Sequence, residues 1–274
     1  MFSTVILTLN EERALPGCLA SLEGCDDVVV LDSGSSDGTV AIARSAGARV
    51  FTRKFDTFAG QRNYAQREIE FRHPWAFHLD ADERMTPELT AECRIASSRT
   101  DLDGFRVAPK MLFEGRWIPH CTDFPAFQTR FARVPGFEFI QVGHGQREAL
   151  HMRVEPMRAN YLHDLSIYGE ANWLEKHRRY AHAEAVRLML ERPAHESQWD
   201  LFSGDALLRR RALKRLGFKL PFRSALRFVY QYGMRRGFLD GGPGLRYCIL
   251  LARYEGFITD EIHKLKHVRQ NRSA

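Results

Sequence analysis

The first hundred residues alternate between short apolar runs and segments with a helical pattern. Apolar, partly β-branched runs predict strands at Thr4–Leu9, Asp27–Leu31, Ala48–Thr52 and Trp75–Leu79. Helices are predicted between and after them, at about 11–22, 39–46, 58–70 and from residue 87. Because the strands are continuously apolar, each is expected to be buried on both faces, which is typical of parallel strands covered by helices. The predicted fold class is therefore α/β, with a mostly parallel sheet and helices on both faces.

The pattern changes in the remainder of the chain. From residue 104 to about 155, short segments separated by Gly and Pro predict antiparallel or mixed strands, and the chain after Leu165 is predicted to be largely helical. In the helical part, seven residues share one predicted helical face: Phe222, Ala225, Leu226, Val229, Tyr230, Gly233 and Met234. We therefore predict two domains, an α/β domain at 1–160 and a basic, mainly helical extension at 161–274.

The two predicted domains differ in charge. Residues 1–160 hold 19 Lys and Arg against 22 Asp and Glu, a net charge of −3, whereas residues 161–274 hold 21 against 12, a net charge of +9. Between Asp205 and Asp240 there are ten basic residues and no acidic one, including Arg209–Arg211 and Lys214–Arg215. Such a block attracts polyanions: an anionic membrane surface, phosphate-bearing lipids or nucleic acid.

The sequence also limits the compartment. No window reaches the roughly 18 uninterrupted apolar residues of a spanning helix, and the N-terminal segment MFSTVILTLNEE lacks the pattern of a secretory signal. Five cysteines without metal-ligand spacing are interpreted as reduced packing residues. The chain is expected to be cytoplasmic, with a peripheral contact between the basic extension and the inner face of the cytoplasmic membrane.

Ligands of open parallel sheets bind beyond the carboxyl ends of the strands. This rule brings three polar segments to one edge, Thr8–Glu12, Asp32–Asp37 and Asp80–Glu83. Asp80 and Asp82 would repel each other unless a positive charge lay between them, and their oxygens suit Mg²⁺ or Mn²⁺. The competing interpretation is a solvated acidic turn that caps the next helix. A cation shared with a diphosphate would stabilise a departing nucleotide, so we predict a divalent-metal site here.

Two further segments are expected at this edge. The turn DSGSSDGT, residues 32–39, has more carboxylates and hydroxyls than a helix cap requires, which suggests that Asp32 accepts a hydrogen bond from a ligand such as a base N–H. The chain has neither a G-x-G-x-x-G dinucleotide motif nor a G-x-x-x-x-G-K-[ST] phosphate loop. Arg62, in the segment QRN, either lies on an exposed polar turn of helix or offers a planar guanidinium to a phosphate.

Four segments in order, TLNEE, DSGSSDGT, QRNYA and HLDADERMTPEL, resemble glycosyltransferase family 2, the inverting GT-A enzymes. Within that family they are most similar to the bacterial branch that adds sugars to lipopolysaccharide core or other lipid-borne glycans. The resemblance is dense over residues 3–97 and extends to about residue 180 through LHD and YGEANWLEKHRRYA. It implies a GT-A type fold in which residues 1–160 bind the donor and catalyse transfer, with residues 161–274 contacting the acceptor or a membrane surface.

The resemblance also implies ligands and their residues. The donor would be a nucleotide-diphosphate sugar, usually with a uridine base, and the acceptor a lipid-linked or lipopolysaccharide-type saccharide. A divalent metal, Mg²⁺ or Mn²⁺, would bind Asp82 with Asp80 nearby, and His163 would complete the metal or diphosphate site. Base and ribose contacts are implied for Thr8, Asn10, Glu11, Asp32 and Asp37.

Inverting transfer is a single displacement, so a base must take the proton of the acceptor hydroxyl. Family members supply an Asp or Glu downstream of the metal motif, and Glu148 in VGHGQREAL is the candidate here. The chain departs from the family pattern because His144 lies four residues before Glu148 and Gln146–Arg147 intervene. Asp123, in PHCTDFP, is the alternative base.

Other functions are less consistent with these residues. A nucleotidyltransferase also uses paired carboxylates and a metal, but it is expected to carry a Gly-rich basic loop after its first strand, where this chain has TLNEERALPG. A non-catalytic nucleotide-sugar-binding relic stays open if neither candidate base reaches a sugar. Binding of nucleic acid is disfavoured by the acidic strand-end loops and by the lack of an aromatic and basic recognition motif.

Overall fold

The structure, a computed structural model, describes residues 1–142, 145–190, 203–204 and 222–271. The chain divides into two compact units, Met1–Ile167 and Tyr168–Ala274. The predicted roles of domains 1–160 and 161–274 stay predictions. His144 and the basic runs Arg209–Arg211 and Lys214–Arg215 lie outside the described residues.

The first unit contains most of the strands. In chain order they are β1 (Ser3–Thr8), β2 (Val28–Asp32), β3 (Arg49–Thr52), β4 (Trp75–Asp80), β5 (Glu83–Arg84), β6 (Gly104–Val107), β7 (Pro109–Phe113), β8 (Arg116–Trp117), β9 (Gln128–Arg133), β10 (Phe139–Val142), β11 (Gly145–Glu148), β12 (Val154–Pro156) and β13 (Tyr161–Asp164). Its helices are α1 (Leu15–Ala20), α2 (Thr39–Ser45), α3 (Phe58–Glu68) and α4 (Pro87–Ala96).

A seven-stranded sheet in the order β12-β6-β9-β4-β1-β2-β3 forms the centre of this unit. Strands β4, β1, β2 and β3 are parallel neighbours, and β12 is parallel to β6, whereas β9 runs antiparallel to both β4 and β6. The register pairs Thr8 with Asp32 and Leu7 with Asp80. The loops that follow β1, β2 and β4 therefore begin at the same edge of the sheet.

Both faces of the sheet are buried. On one face Ile6, Val30 and Phe77 pack in a large apolar cluster, and on the other face Val5 and Leu31 pack with residues of α3. Alternate residues of β1 thus enter two different cores, which explains why the strand is apolar without interruption. The predicted α/β class with a mostly parallel sheet is confirmed.

The helices of this unit begin at side-chain caps where the sequence provides them. Thr57 accepts a hydrogen bond from the backbone N–H of Gly60 at 2.9 Å, and Thr86 accepts one from Leu89 at 3.2 Å. Helix α1 is shorter than the predicted 11–22 segment, because the residues before Leu15 form turns that are bonded to the loop after β2.

Two smaller sheets complete the unit. A four-stranded sheet has the order β5-β13-β7-β8, and β10 pairs with β11 in an antiparallel hairpin. Strand β5 follows directly from the carboxylates after β4 and pairs with β13, so that His163 lies opposite Glu83. This pairing joins residues that are about eighty positions apart in the chain and builds one side of the candidate site.

The second unit is helical where it is described, as predicted. It contains α5 (Gly169–Leu190), α6 (Arg223–Phe228), a π-helical segment (Val229–Met234), a 3₁₀ turn (Gly237–Asp240) and α7 (Gly241–Asn271). Helix α7 packs against α5 and α6. Glu261 of α7 accepts a hydrogen bond from His182 at 2.7 Å, and Glu255 accepts one from Arg223 at 2.7 Å.

Two other predictions concern the whole chain. Among the described helices, none is long and apolar enough to cross a membrane. All five cysteines are free thiols, as predicted: Cys18, Cys25, Cys93, Cys121 and Cys248.

Candidate active site

The turn after β2 is organised by the buried carboxylate of Asp32. One oxygen accepts hydrogen bonds from the hydroxyls of Thr8 at 2.8 Å and Ser35 at 2.5 Å. The other accepts bonds from the backbone N–H groups of Gly34 at 2.9 Å and Ser35 at 2.8 Å. Burial raises the pKa of Asp32, but these four bonds outweigh it and hold the pKa below its usual value. In this conformation Asp32 shapes the turn with both oxygens, and its bond to a nucleobase stays a prediction.

The loop after β1 is joined to this turn by reciprocal bonds. Asn10 donates its backbone N–H to Ser35 at 2.8 Å, and its side-chain oxygen accepts from the N–H of Ser36 at 2.8 Å. Asn10 has a φ of 57°, a left-handed conformation that Asn tolerates better than most residues. The bonds bring the first two predicted ligand-binding loops into contact.

Two more bonds extend this junction. The backbone N–H of Glu11 donates to Thr39 at 2.8 Å, and that of Glu12 donates to Asp37 at 3.2 Å. Asp37 also accepts from the backbone of Thr39 at 3.0 Å. The implied base and ribose residues therefore do lie together, at the edge where parallel-sheet ligands bind.

The two aspartates after β4 have different partners. Asp80 accepts hydrogen bonds from Arg62 at 2.8 Å and from Arg130 at 3.1 Å. Asp82 lies with one carboxylate oxygen 3.2 Å from Nε2 of His163. Burial raises the pKa of Asp80, yet the two guanidinium groups outweigh it and hold the pKa well below its usual value. The described part of the chain contains no group of three metal-ligating side chains, and the roles of Asp80, Asp82 and His163 at a metal or diphosphate stay predictions.

Asp82 and His163 by themselves fit a divalent cation. Two adjacent ligand atoms of an octahedral Mg²⁺ or Mn²⁺ lie about 3 Å apart, given metal–oxygen distances near 2.1 Å. The 3.2 Å between Asp82 and His163 matches that spacing, and each side chain retains about a quarter of its surface exposed. Burial lowers the pKa of His163, but Asp82 more than offsets this and raises it to about 9. Without a cation the pair is therefore an ion pair.

Arg130 is a site residue that sequence reasoning missed. Its Nη2 lies 3.1 Å from Asp80 and 2.6 Å from Glu83, and only 3% of its side chain is exposed. Glu83 is fully buried, and its second oxygen accepts the backbone N–H of Asp80 at 2.9 Å. Burial raises the pKa of Glu83, an effect that Arg130 opposes. The Arg130 guanidinium therefore holds the carboxylates of Asp80 and Glu83, which lie on either side of Asp82 in the sequence.

A β-bulge explains how Arg130 reaches this position. The register between β6 and β9 pairs Phe105 with Phe131 and then Arg106 with Thr129, so Arg130 is the extra residue of the bulged strand. A bulge redirects a side chain that regular alternation would place on the opposite face. The segment FQTRFARV contains two arginines, Arg130 and Arg133, so the sequence does not single out Arg130.

The segment QRN at the start of α3 is not an exposed polar turn. Gln61 is buried and donates to the hydroxyl of Ser33 at 3.2 Å, and Asn63 bonds the backbone of Phe139 in the hairpin in both directions at 2.8 Å. Arg62 is fully buried and bonds Asp80. The structure thus places Arg62 behind the carboxylate, where it orients Asp80, and a direct bond to a phosphate stays a prediction.

The two candidate bases have different surroundings. Glu148 ends β11, where one oxygen accepts the hydroxyl of Thr129 at 2.7 Å and the other lies 3.9 Å from Arg106. Its side chain is 22% exposed. Thr129 precedes Arg130 in β9. Glu148 is therefore hydrogen-bonded to the strand whose Arg130 bonds Asp80. Asp123 is exposed in the segment between β8 and β9. Both assignments as the base stay predictions.

Comparison with known proteins shows which family this part of the chain is similar to. Residues 3–99 match the model of the family Glycosyl transferase family 2. The lipopolysaccharide core biosynthesis glycosyltransferase LpsC of Rhizobium meliloti (strain 1021) is 40% identical over 114 residues, which are 39% of this chain and 41% of the relative. An uncharacterized glycosyltransferase of Rickettsia typhi (strain ATCC VR-144 / Wilmington) is 35% identical over 91 residues, 33% of this chain and 30% of the relative. The match thus spans less than half the length of either relative.

A solved structure of similar extent is that of S. aureus TarS 1–349 in complex with UDP, with 15% identity, a TM-score of 0.46 and coverage of 99% of this chain and 92% of that chain. The sequence matches carry the comparison: residues 3–99 match the glycosyltransferase family 2 model, which confirms the predicted resemblance. Within that class the chain is similar to a lipopolysaccharide core glycosyltransferase, as its motifs predicted.

Proposed function

We propose that the chain is an inverting glycosyltransferase that moves a sugar from a nucleotide-diphosphate sugar, with uridine as the base, to a saccharide of the cell envelope. The observation that carries this proposal is the meeting of three strand-end loops at one edge of the sheet, within the segment that matches the family model. The name of the Rhizobium meliloti relative supports a lipopolysaccharide-type, lipid-borne acceptor.

In this proposal the loops after β1 and β2 bind the nucleoside. Their backbone is held by the bonds of Asn10 and Asp32, so the surface that receives the base and ribose is formed before the donor binds. Preformed sites bind with a smaller loss of conformational entropy. The acidic side chains Glu11 and Asp37 offer acceptors to the ribose hydroxyls.

Asp82 and His163 would hold a divalent cation, Mg²⁺ or Mn²⁺, next to the diphosphate. A bound cation would stabilise the negative charge that develops on the departing nucleotide. Asp80 is oriented by Arg62 and Arg130, and Glu83 by Arg130, so that Asp82 emerges from a rigid turn. Rigid support of this kind improves the placement of ligand side chains.

Glu148 is the proposed general base. It would take the proton of the acceptor hydroxyl on the oxygen that Thr129 does not occupy, while the acceptor oxygen attacks the anomeric carbon. Asp123 is the alternative base.

We also propose that the basic second unit keeps the enzyme at an anionic membrane surface, where a lipid-borne acceptor would be found.

The proposal is tested by thermal unfolding of the full chain with UDP, UDP-glucose, UDP-galactose or UDP-N-acetylglucosamine, each with and without Mn²⁺. A ligand at 100 times its dissociation constant stabilises the folded protein by about 2.7 kcal/mol. We expect at least one UDP-sugar to stabilise the chain and Mn²⁺ to increase the effect. Asp82→Ala should remove the Mn²⁺-dependent part.

Asp26→Ala is the matched control, because Asp26 precedes β2 at the opposite edge of the sheet and its side chain is half exposed. This variant should respond to the ligands like the wild type. An Asp82→Ala variant that keeps its full Mn²⁺-dependent stabilisation would refute the assigned metal ligand, and no response to any UDP compound would refute the donor class.

A further inference from the structure

Helix α6 and the π-helical segment after it expose a continuous apolar stripe. The stripe consists of the seven residues predicted on one helical face: Phe222, Ala225, Leu226, Val229, Tyr230, Gly233 and Met234. Phe222 is 82% exposed, Val229 59% and Met234 75%. The 3₁₀ turn that follows adds Phe238 and Leu239, which are about half exposed. A helix in water normally turns such a face toward the core.

Two polar side chains of the same segment are buried. Arg223 forms an ion pair with Glu255 of α7 at 2.7 Å, with 8% of its side chain exposed. Gln231 is also buried, at 2% exposure. The segment therefore buries Arg223 and Gln231 while the apolar stripe is exposed. Large exposed apolar patches of this kind mark surfaces that bind a partner or a membrane.

The charge of the segment indicates which partner. No acidic residue occurs between Asp205 and Asp240. Arg227, Arg235 and Arg236 lie within the described part of this stretch, and Arg236 is exposed. Arginine beside an apolar face complements a bilayer that contains anionic lipids, because the headgroups attract the cations while the apolar side chains enter the boundary with the acyl chains.

A second copy of the chain is a poorer fit. A two-fold symmetric contact would place the stripe against itself and would bring the same arginines of both copies together. With no acidic residue in the segment to pair with them, like charges would repel across the contact. Anionic headgroups supply the opposite charge that the segment itself lacks.

We propose that the apolar stripe is a bilayer-contacting surface, which lies in the plane of an anionic membrane with Phe222, Val229 and Met234 among the lipids. This inference goes beyond the general attraction of a basic unit to a membrane, because it assigns the contact to specific apolar side chains. It predicts that binding depends on those side chains as well as on charge.

The test is co-sedimentation of the full chain with vesicles of phosphatidylcholine alone or with about 30% phosphatidylglycerol, without nucleotide sugar. We expect the wild type to bind the anionic vesicles, and salt to weaken this binding without abolishing it. The double substitution Val229→Asp and Met234→Asp should lower the partition to anionic vesicles at least about tenfold. Because no donor is present, the outcome is independent of the proposed transfer reaction.

The control is Ile95→Asp, since Ile95 of α4 is 75% exposed, the same as Met234. It should bind vesicles like the wild type. In a measurement that needs no charged substitution, Met234→Trp should shift its fluorescence to shorter wavelength on anionic vesicles, and Ile95→Trp should not. The proposal is overturned if the double variant binds within about twofold of the wild type. It is also overturned if the substitutions abolish self-association in solution while vesicle binding persists.

Discussion

The two units of the molecule depart from the usual distribution of polarity in opposite directions. In Met1–Ile167 the side chains of Arg62 and Glu83 are fully buried and that of Arg130 is 3% exposed. In Tyr168–Ala274 the side chains of Phe222 and Met234 are 82% and 75% exposed. Charged residues are rarely buried unless they are paired, and contiguous exposed apolar residues are rare in soluble proteins. Each departure marks the surface or site where its unit is proposed to act.

The two units differ in what offsets the cost of burying charged groups or exposing apolar ones. In the first unit Asp80 and Glu83 supply the opposite charges, so the buried arginines are paired within the protein. In the second unit the described residues leave the apolar stripe exposed to solvent, and the proposed cover is a membrane. Changes in the first unit should therefore affect the isolated protein, whereas changes to the stripe should affect the protein mainly when a membrane is present.

The largest effect expected in the first unit is on reaction rate. If Glu148 is the base, Glu148→Gln should lower the rate of sugar transfer by about 10²- to 10⁴-fold, the usual contribution of general base catalysis. The donor-induced rise in unfolding temperature should be unchanged, because Glu148 is not placed in the donor-binding loops. Asp123→Asn should retain most of the rate. The opposite ranking of the two variants would make Asp123 the base.

The next largest effect is on stability. Arg130→Met should reduce the free energy of unfolding by about 3–5 kcal/mol, because it leaves the buried carboxylates of Glu83 and Asp80 without their shared partner. Chemical denaturation of both proteins measures the difference. Arg153→Met is the control, since Arg153 pairs with Asp103 at the surface with 60% of its side chain exposed and exposed pairs contribute little. Equal losses in the two variants would mean that burial of the network is energetically unimportant.

This network also shows where sequence reasoning reached its limit. The strand positions and their common edge could be predicted, because burial of both faces is visible in runs such as TVILTL and because strand ends in parallel sheets share one side. The position of Arg130 could not, since it depends on a bulge and on pairing between distant strands. The segment QRN identifies Arg62 as a candidate site residue. Whether its guanidinium points to solvent or to Asp80 depends on the packing of α3.

The same limit applies to the stripe in the second unit. Its period of 3.6 residues was evident in the sequence, and all seven residues are exposed in the structure. Periodicity alone predicts that such a face is buried. The ion pair of Arg223 with Glu255 and the burial of Gln231 turn the segment the other way. Only the tertiary contacts distinguish a core face from an exposed one.

A smaller effect is expected from another buried carboxylate, that of Asp27, at the edge of the sheet away from the site. Asp27 accepts bonds from the hydroxyl of Ser3 at 2.6 Å, the backbone N–H of Arg72 at 2.8 Å and the guanidinium of Arg49 at 2.7 Å. Asp27→Asn should cost about 1–3 kcal/mol at neutral pH, because an amide replaces an acceptor-only group facing three donors. Donor-induced stabilisation should be retained. This result would show that Asp27 contributes to folding and not to donor binding.

The pH dependence of this effect has a definite sign. Burial raises the pKa of Asp27, but the hydrogen bonds and Arg49 outweigh it, so the folded-state pKa lies below the usual value. Its contribution is therefore fully present above the unfolded pKa of about 4 and is lost as the pH falls through the folded pKa. The difference in unfolding free energy between wild type and Asp27→Asn should shrink from pH 7 to pH 3. A difference that grows on acidification would contradict this assignment.

The smallest effect tests the comparison most directly. Val229→Gln and Met234→Gln should change the free energy of unfolding by no more than about 0.5 kcal/mol, because both side chains already face water. Leu89→Ala, at a fully buried position of α4, should cost about 2–5 kcal/mol in the same assay. If the stripe substitutions cost as much as Leu89→Ala, the stripe is packed inside the protein. Both units would then bury their apolar side chains in the usual way. If they leave stability unchanged but lower vesicle binding, their apolar character serves the membrane contact and contributes nothing to folding.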